Sequence, residues 1–505
     1  MGAPRVADPE LPWIMTLLAV PAAVVLIGSF RIDAEHLRRI ALAAACLLVA
    51  IGTGLLWLHA APGAAAGAGP ATAPPWSPAF RIDRLSGLLL PFTALLWVLA
   101  VGVTPRAALD RGGIRRTALA TWTTLAIFLT ESPGWIAGLW AISVMVLLRG
   151  LRAGGYRRAL RLAGIYLGVS TALLAAGVSL IRLDGIAPLA SGLACLCILA
   201  AVMIRKGIVP LHGWLPETFE HGRIGPAVLF SAPQVGAYVV ITLVLPRASG
   251  GMLRMTALFA LGTAVYGALA AMTQKDARRA FGYLFISQSA LVLAGLECVS
   301  VEGLTGGLTL WLSSGISFAA LARCLAVLEA RRGRLSLDRL NGGYERMPLL
   351  ASSFLLTALA AIGFPGTLGF IGHELLVDGT VAQFPRTGFL VVVVTAFGAI
   401  ALIRIYFALF CGRVDRGAHL GLRRREIVLF ASFSGLLLAT GLVPRPIVSS
   451  RAMAAVSILA RREPLQRRVP GAQARDPVRR DRLDRPADRP RPRAGDPPRP
   501  PASGS

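Results

Sequence analysis

Arg205-Lys206-Gly207-Ile208-Val209-Pro210-Leu211-His212-Gly213-Trp214-Leu215-Pro216-Glu217 separates two long apolar runs, Ile186 to Ile204 and Gly225 to Pro246. A lysine, a histidine, an acid and two prolines therefore occupy chain that should lie within a membrane. A charge at bilayer depth costs about 2.5–3.5 kcal/mol on insertion scales and is usually tied to an ion or substrate pathway. Proline removes a backbone donor, and a broken helix is tolerated in a membrane only against protein or a water-filled cavity. Charge and break together mark a candidate ion or substrate site, with Lys206 and Pro210 at its centre.

Working outward, apolar runs long enough to cross a hydrocarbon core of about 30 Å recur along the chain. Of its 505 residues 55% are hydrophobic and only 15% are charged, well below the roughly 25% of a soluble protein. The fold class is thus an all-α polytopic membrane protein, with about fourteen spans expected at 11–30, 39–59, 86–104, 117–131, 134–150, 158–181, 186–209, 225–246, 254–272, 279–297, 303–329, 349–377, 386–411 and 425–445. The net charge of +26 does not argue for nucleic acid, because the arginines sit in the loops and the final segment, where they suit topology and anionic headgroups. Loops after the odd-numbered spans are the basic ones. The positive-inside rule places those loops in the cytoplasm and both termini outside.

Three regions are expected. Residues 1–79 hold the first helices and a Gly/Ala/Pro-rich outer loop, Ala60 to Pro78. Residues 80–445 form the transmembrane core, and 446–505 form a disordered basic Pro/Arg-rich tail whose first part, 446–460, is able to return to the membrane surface. Gly363-Phe364-Pro365-Gly366-Thr367-Leu368-Gly369 interrupts the overlong 349–377 run and predicts a second broken helix at Pro365. Interrupted helices in corresponding halves mark inverted-repeat transporters. An offset of five spans inverts the second unit, giving repeats of about 117–246 and 254–411 with breaks in helices 7 and 12.

Several residues near the breaks are chemically suited to proton or ion movement. Lys206 is either a reversible proton site or, with Arg205, an interfacial anchor that snorkels to the surface. His212 either relays protons or bonds carbonyls freed by the break. His373 and Glu374, after the second break, are either a hydrated acid–imidazole pair or a cap on the broken helix. Glu217, Glu220 and His221 are expected in a solvated loop at the cytoplasmic mouth, Arg182 and Asp184 as an interfacial pair, and Asp276 as a helix N-cap. Six scattered cysteines lack iron–sulfur, haem or shared-metal spacing. No catalytic nucleophile constellation, cofactor loop or metal set is visible, so no cofactor is expected and a stand-alone enzyme is disfavoured.

Lys206 to Pro216 resembles the K-x-x-x-P-x-H-x-W-L-P signature of the antiporter-like subunits of respiratory complex I (the NADH-quinone oxidoreductase chain 5, M and N type), a superfamily shared with Mrp antiporters and energy-converting hydrogenases. Phe80-Arg81-Ile82-Asp83-Arg84-Leu85-Ser86 is similar to the family's entry to span 3. Gln274 to Tyr283 resembles its D-x-K-R-x-x-A-Y turn. Arg346-Met347-Pro348 with Gly363-Phe364-Pro365 and Gly369-Phe370-Ile371-Gly372 resembles its broken span 12. The resemblance covers roughly 80–440. It implies two inverted five-helix repeats conducting protons (or Na+) along buried ionisable residues, in an inner-membrane complex with other membrane subunits as partners. Lys206 matches the family's span-7 lysine, and His373 the span-12 position of its lysine or glutamate.

The chain also departs from this pattern. The family's W-E pair is Trp140-Ala141 here, its span-8 lysine is Gln234, four residues before Tyr238, and its H-A-x-x-K stretch is replaced by Ser313 to Ala319 without either base. Gln and Ser can hold water but cannot store a proton. Two alternatives to a conducting subunit follow: a degenerate non-conducting scaffold, and the membrane subunit of a two-component inorganic-carbon uptake system.

Overall fold

The computed structural model describes residues 11–59, 80–102, 104–105, 109–182, 188–412 and 421–467. The outer loop from Ala60 to Pro78, Asp184 and the chain beyond 467 lie outside the described residues. Within them the fold is helical, and two isolated β-bridges, Phe80 with Thr130 and Asp276 with Ser336, are the extended pairings found.

The first helices are α1 (Leu11–Ile27), α2 (Ala34–His59), α3 (Ser86–Gly102), α4 (Arg111–Phe128), α5 (Pro133–Ala153), α6 (Arg157–Ile181) and α7 (Pro188–Lys206). Short α8 (Trp214–His221), α9 (Ile224–Ser231) and α10 (Val235–Val239) follow, the last running into a π-helical turn, Val240–Val244. Then come α11 (Gly250–Thr273), α12 (Ala277–Glu297), α13 (Val301–Arg332), α14 (Pro348–Ala361), α15 (Leu368–Gln383), α16 (Leu390–Phe410), α17 (Arg424–Leu442) and α18 (Arg445–Arg467). Among the described residues nine helices are long and apolar enough to cross a membrane, and three shorter helices are apolar. Sequence-encoded acceptors start several of them. Asp276 accepts from Arg278 N at 2.9 Å and Arg279 N at 3.1 Å, as expected, and Asp110, Ser249 and Ser300 cap α4, α11 and α13.

α12 and α13 are buried almost throughout, whereas α2, α6, α16 and α17 keep most of their apolar surface outward. Ile165, Val169, Phe259, Val392 and Ile400 are among the exposed apolar side chains, a surface that suits lipid. α13 is the central post, packing against α3, α9, α12, α14, α15 and α18. Ion pairs gather at one end of the bundle, among them Arg223–Asp110, Arg278–Glu329 and Arg331–Glu426.

Both expected breaks are present, and they are built alike. α7 stops at Lys206 because Gly207 takes the left-handed φ of 71°, with Gly207 N donating to Ile204 O and Ile208 N to Met203 O. α14 stops before Gly363, φ 75°, with Gly363 N on Ala360 O and Phe364 N on Leu359 O. Each is a glycine-terminated Schellman cap, so glycine ends the helix before the proline is reached. This shortens the run expected to reach residue 209. The expected span 225–246 stands as one apolar crossing, Ile224–Val244, but its helix is interrupted. Pro233 has no N–H to continue the helix and Gln234 sits at φ 50°, so α9 and α10 are separate pieces.

Residues 446–467, counted from the sequence with a disordered tail, instead belong to α18. Arg451 is fully buried there and donates to Leu85 O at 3.1 Å and Arg84 O at 2.8 Å, while Ala454 and Ala455 pack into the core. The tail expectation rested on arginine content, and here arginines satisfy backbone carbonyls of segments that connect the helices.

Candidate functional site

Lys206 and Arg205 are 4% and 7% exposed, so neither snorkels to a surface. The guanidinium of Arg205 lies 4.2 Å from the Trp140 ring centroid and 4.1 Å from that of Phe230, and Arg205 Nη1 donates to Ser143 Oγ at 3.0 Å. Trp140-Ala141 brings no acid to this place, and two aromatic faces hold the cation instead. Lys206 Nζ donates to Gln234 Oε1 at 2.6 Å. The left-handed backbone at Gln234, fixed by Trp311 Nε1 donating to Pro233 O at 2.9 Å, places the amide at the end of α7. Ser231, Phe285 and Ser289 line the same void of about 10 Å³, close to the smallest volume that admits one water.

From Gln234 the polar line crosses the central post. Gln234 Nε2 points to Ser314 Oγ at 3.5 Å, the outer limit of a hydrogen bond. Thr309, Ser313 and Ser317 recur every fourth residue and so share one face of α13. All three hydroxyls are buried without hydrogen-bond partners among the described residues. Ser313 Oγ lies against Gly369, where an added Cβ would meet it at 3.0 Å.

One turn further along α15, His373 is buried, with Nδ1 2.8 Å from Gly369 O. A carbonyl only accepts, so Nδ1 donates, and Nε2 is left buried with no partner. His373 thus bonds back within its own helix and keeps one ring nitrogen without a partner among the described residues.

Lys206, Gln234 and the serines before His373 are therefore gathered into one buried zone between the two breaks. Other candidates lie elsewhere. His212 is half-buried beside the break, with Nε2 3.2 Å from the Tyr266 hydroxyl and its ring near Tyr283. Glu374 is on the exposed face of α15, and Pro365 is exposed at the rim of its turn. The arginine-rich end carries a cavity of about 820 Å³, lined by Asp110, Glu220, His221, Arg223, Arg278 and Arg323 among others.

Glu217, Glu220 and His221 belong to α8 rather than to a solvated loop. Their ligand-capable atoms lie within 4.8 Å of one another, but Arg158, Arg279 and Arg334 already contact the two carboxylates. Glu217 is 4% exposed and 3.1 Å from His221 Nδ1. Burial works to raise the Asp110 carboxyl, but Arg223, the Gly113 N–H and Arg116 outweigh it and hold it below the usual carboxylate range. Glu297, wholly buried at the far end of α12, is a functional candidate that sequence reading missed. In the sequence it stands at the very end of the expected span 279–297, with no motif around it.

Residues 125–398, more than half of the chain, match the family described as "NADH:quinone oxidoreductase/Mrp antiporter, TM". The chain belongs to this family. It is 29% identical over 255 residues to NADH-quinone oxidoreductase subunit M of Mycobacterium tuberculosis, a match covering 49% of this chain and 46% of that protein. The chain thus spans about half the length of the curated relatives it matches. A chain of respiratory complex I from Thermus thermophilus superposes with a TM-score of 0.80 at 23% identity, covering 89% of this chain and 99% of that one. A chain of the Mrp complex from a Dietzia species gives 0.77 at 19% identity, covering 90% and 99%. The polytopic helical fold expected from the apolar runs is the fold of these membrane subunits.

Proposed function

We propose that this member of the antiporter-like family conducts protons across the cell membrane as a non-redox subunit of a complex I-type or related assembly. The observation that carries the reading is the buried polar zone itself: Lys206 hydrogen-bonded to Gln234, Gln234 directed at Ser314, and the unpartnered α13 hydroxyls next to His373. Buried polar atoms without protein partners suit water. Lys206 and His373 would be the titratable stations, and Gln234 with the serines would order water between them. Glutamine and serine store no proton, so the route is a hydrated passage with two stations rather than an unbroken chain of bases. The inverted pair of repeats, about 117–246 and 254–411, gives the two stations related surroundings. The arginine-rich end and its cavity would face the cytoplasm by the positive-inside rule, leaving both termini outside.

The test is proton uptake driven by substrate oxidation in native membrane vesicles carrying the assembled complex. Lys206→Ala and His373→Ala are expected to lower coupled transport on the order of 10²-fold while assembly persists. Wild-type transport in both variants would reject the reading. It would favour the scaffold role, for which Ala141 and the base-free Ser313 to Ala319 stretch are the specific grounds.

A further inference from the structure

Glu297 is the last residue of α12, at the arginine-poor end of the bundle, and it is fully buried. Neither of its carboxyl oxygens has a hydrogen-bond partner among the described residues. The other buried acids differ. Glu217 lies against Arg158 and His221, and Glu426 against Arg331 and the Arg423 N–H. A carboxylate taken out of water without a cation or donor is among the most costly groups to bury, so a small cation has to accompany it.

The surroundings narrow which cation that is. Thr256 of α11 lies beside the carboxyl, but its hydroxyl donates to Met252 O and Leu253 O. The thiol of adjacent Cys298 is 3.3 Å from Ala294 O. On α11, Arg254 is directed at the Phe384 ring, 5.8 Å away. Toward the middle of the bundle lies Lys206, which shares a void with Ser289 of the same helix as Glu297. A metal ion needs several oxygen ligands, and the Thr256 hydroxyl is already engaged, whereas a proton needs only one carboxyl oxygen.

Position supplies the rest. Ser289 shares the void around Lys206, and Glu297 follows it by eight residues, about 12 Å along the helix. Val299, two residues beyond, is exposed.

We propose that Glu297 is the proton-holding group between Lys206 and the arginine-poor surface, the exit or entry station of the Lys206 site. The proposal rests on reading Lys206 as a proton site. In the transfer, an N–H bond of the Lys206 ammonium breaks and its proton passes to water. A proton from that water forms an O–H bond on the Glu297 carboxylate. The lysine is left as a neutral amine and the glutamate as a neutral acid, so charge is conserved. Release at the surface then returns the carboxylate.

The experiment uses the assembled complex, in native vesicles for proton transport and purified for pH-difference infrared spectroscopy. Glu297→Gln keeps shape and removes the titration. It is expected to lower coupled transport about 10²-fold and to delete one protonated-carboxyl stretching band. Glu297→Asp is expected to shift that band and keep part of the transport. Wild-type transport and an unchanged band in Glu297→Gln would overturn the proposal. If Lys206→Ala abolishes transport in the same preparation, that failure leaves the proton-conduction reading standing. If Lys206→Ala is also silent, the reading falls with it. Should Glu297→Gln not assemble, the aspartate variant decides: a shifted band supports the proposal, and a spectrum identical to wild type overturns it.

Discussion

Lys206 keeps an ammonium-bearing chain in an apolar bundle through one 2.6 Å bond, and its acceptor is a residue bent out of helical conformation to reach it. Gln234→Leu would leave Nζ without this acceptor while filling similar volume. Hydrogen bonds to charged groups contribute about 1.5–3 kcal/mol, so a stability loss of that order is expected, read as earlier thermal unfolding of the purified complex. Gln234→Glu keeps an acceptor and should unfold near the wild-type temperature. Arg205 follows a different rule: aromatic faces and one serine hold it, so Trp140→Leu should destabilise through the cation as well as through lost packing.

At the scale of elements, the bundle is built around places where helices stop. Gly207 and Gly363 end their helices with the same cap; Lys206 directly precedes the first, and His373, ten residues after the second, folds back against it. At Gly363 the requirement is double: φ is 75°, and an added Cβ would stand 2.6 Å from His373 Nδ1. Gly363→Ala should therefore cost about 1–3 kcal/mol from the backbone alone and displace the imidazole, measurable as lowered thermal stability together with reduced transport. Gly366→Ala shares the positive φ but meets nothing within 4 Å, so it separates backbone strain from loss of the His373 contact.

The first break was legible because charge and proline coincide at Lys206 and Pro210, the second because glycine and proline interrupt an overlong apolar run at Gly363-Phe364-Pro365. The division at Pro233 went unread because one proline and one glutamine leave the surrounding run apolar, and the tertiary bond from Trp311 makes its purpose evident. Gln234 could be placed by family motif. Glu297 could not, since nothing local distinguishes a buried acid at a helix end from a wet one. α18 was obscured by composition, because arginines that satisfy distant carbonyls count in a sequence like arginines in solvent.

For the whole molecule, the two ends are held by different means. At the arginine-poor end α18 fastens elements far apart in the chain. Arg451 binds the entry to α3, Arg462 binds Leu245 O and Ala248 O, and Arg461 binds Glu131 at 2.7 Å. Arg451→Met should leave the Arg84 and Leu85 carbonyls without this donor and expose the chain after residue 445 to limited proteolysis in the assembled complex. At the arginine-rich end, loops are held by ion pairs in reach of solvent, so pH acts on them. Asp110 joins the start of α4 to Arg223 before α9, and its carboxyl is held below the ordinary value of about 3.9. A depressed acid contributes stability that is complete above the unfolded value and disappears as pH falls through the folded one. Thermal unfolding of the complex followed from pH 7 downward should therefore show a component lost below about pH 4 that Asp110→Asn lacks, with the variant already less stable at neutral pH. Because Asp110 is part-exposed, the difference should shrink as salt is raised, whereas the effect of Arg451→Met, fully enclosed, should not.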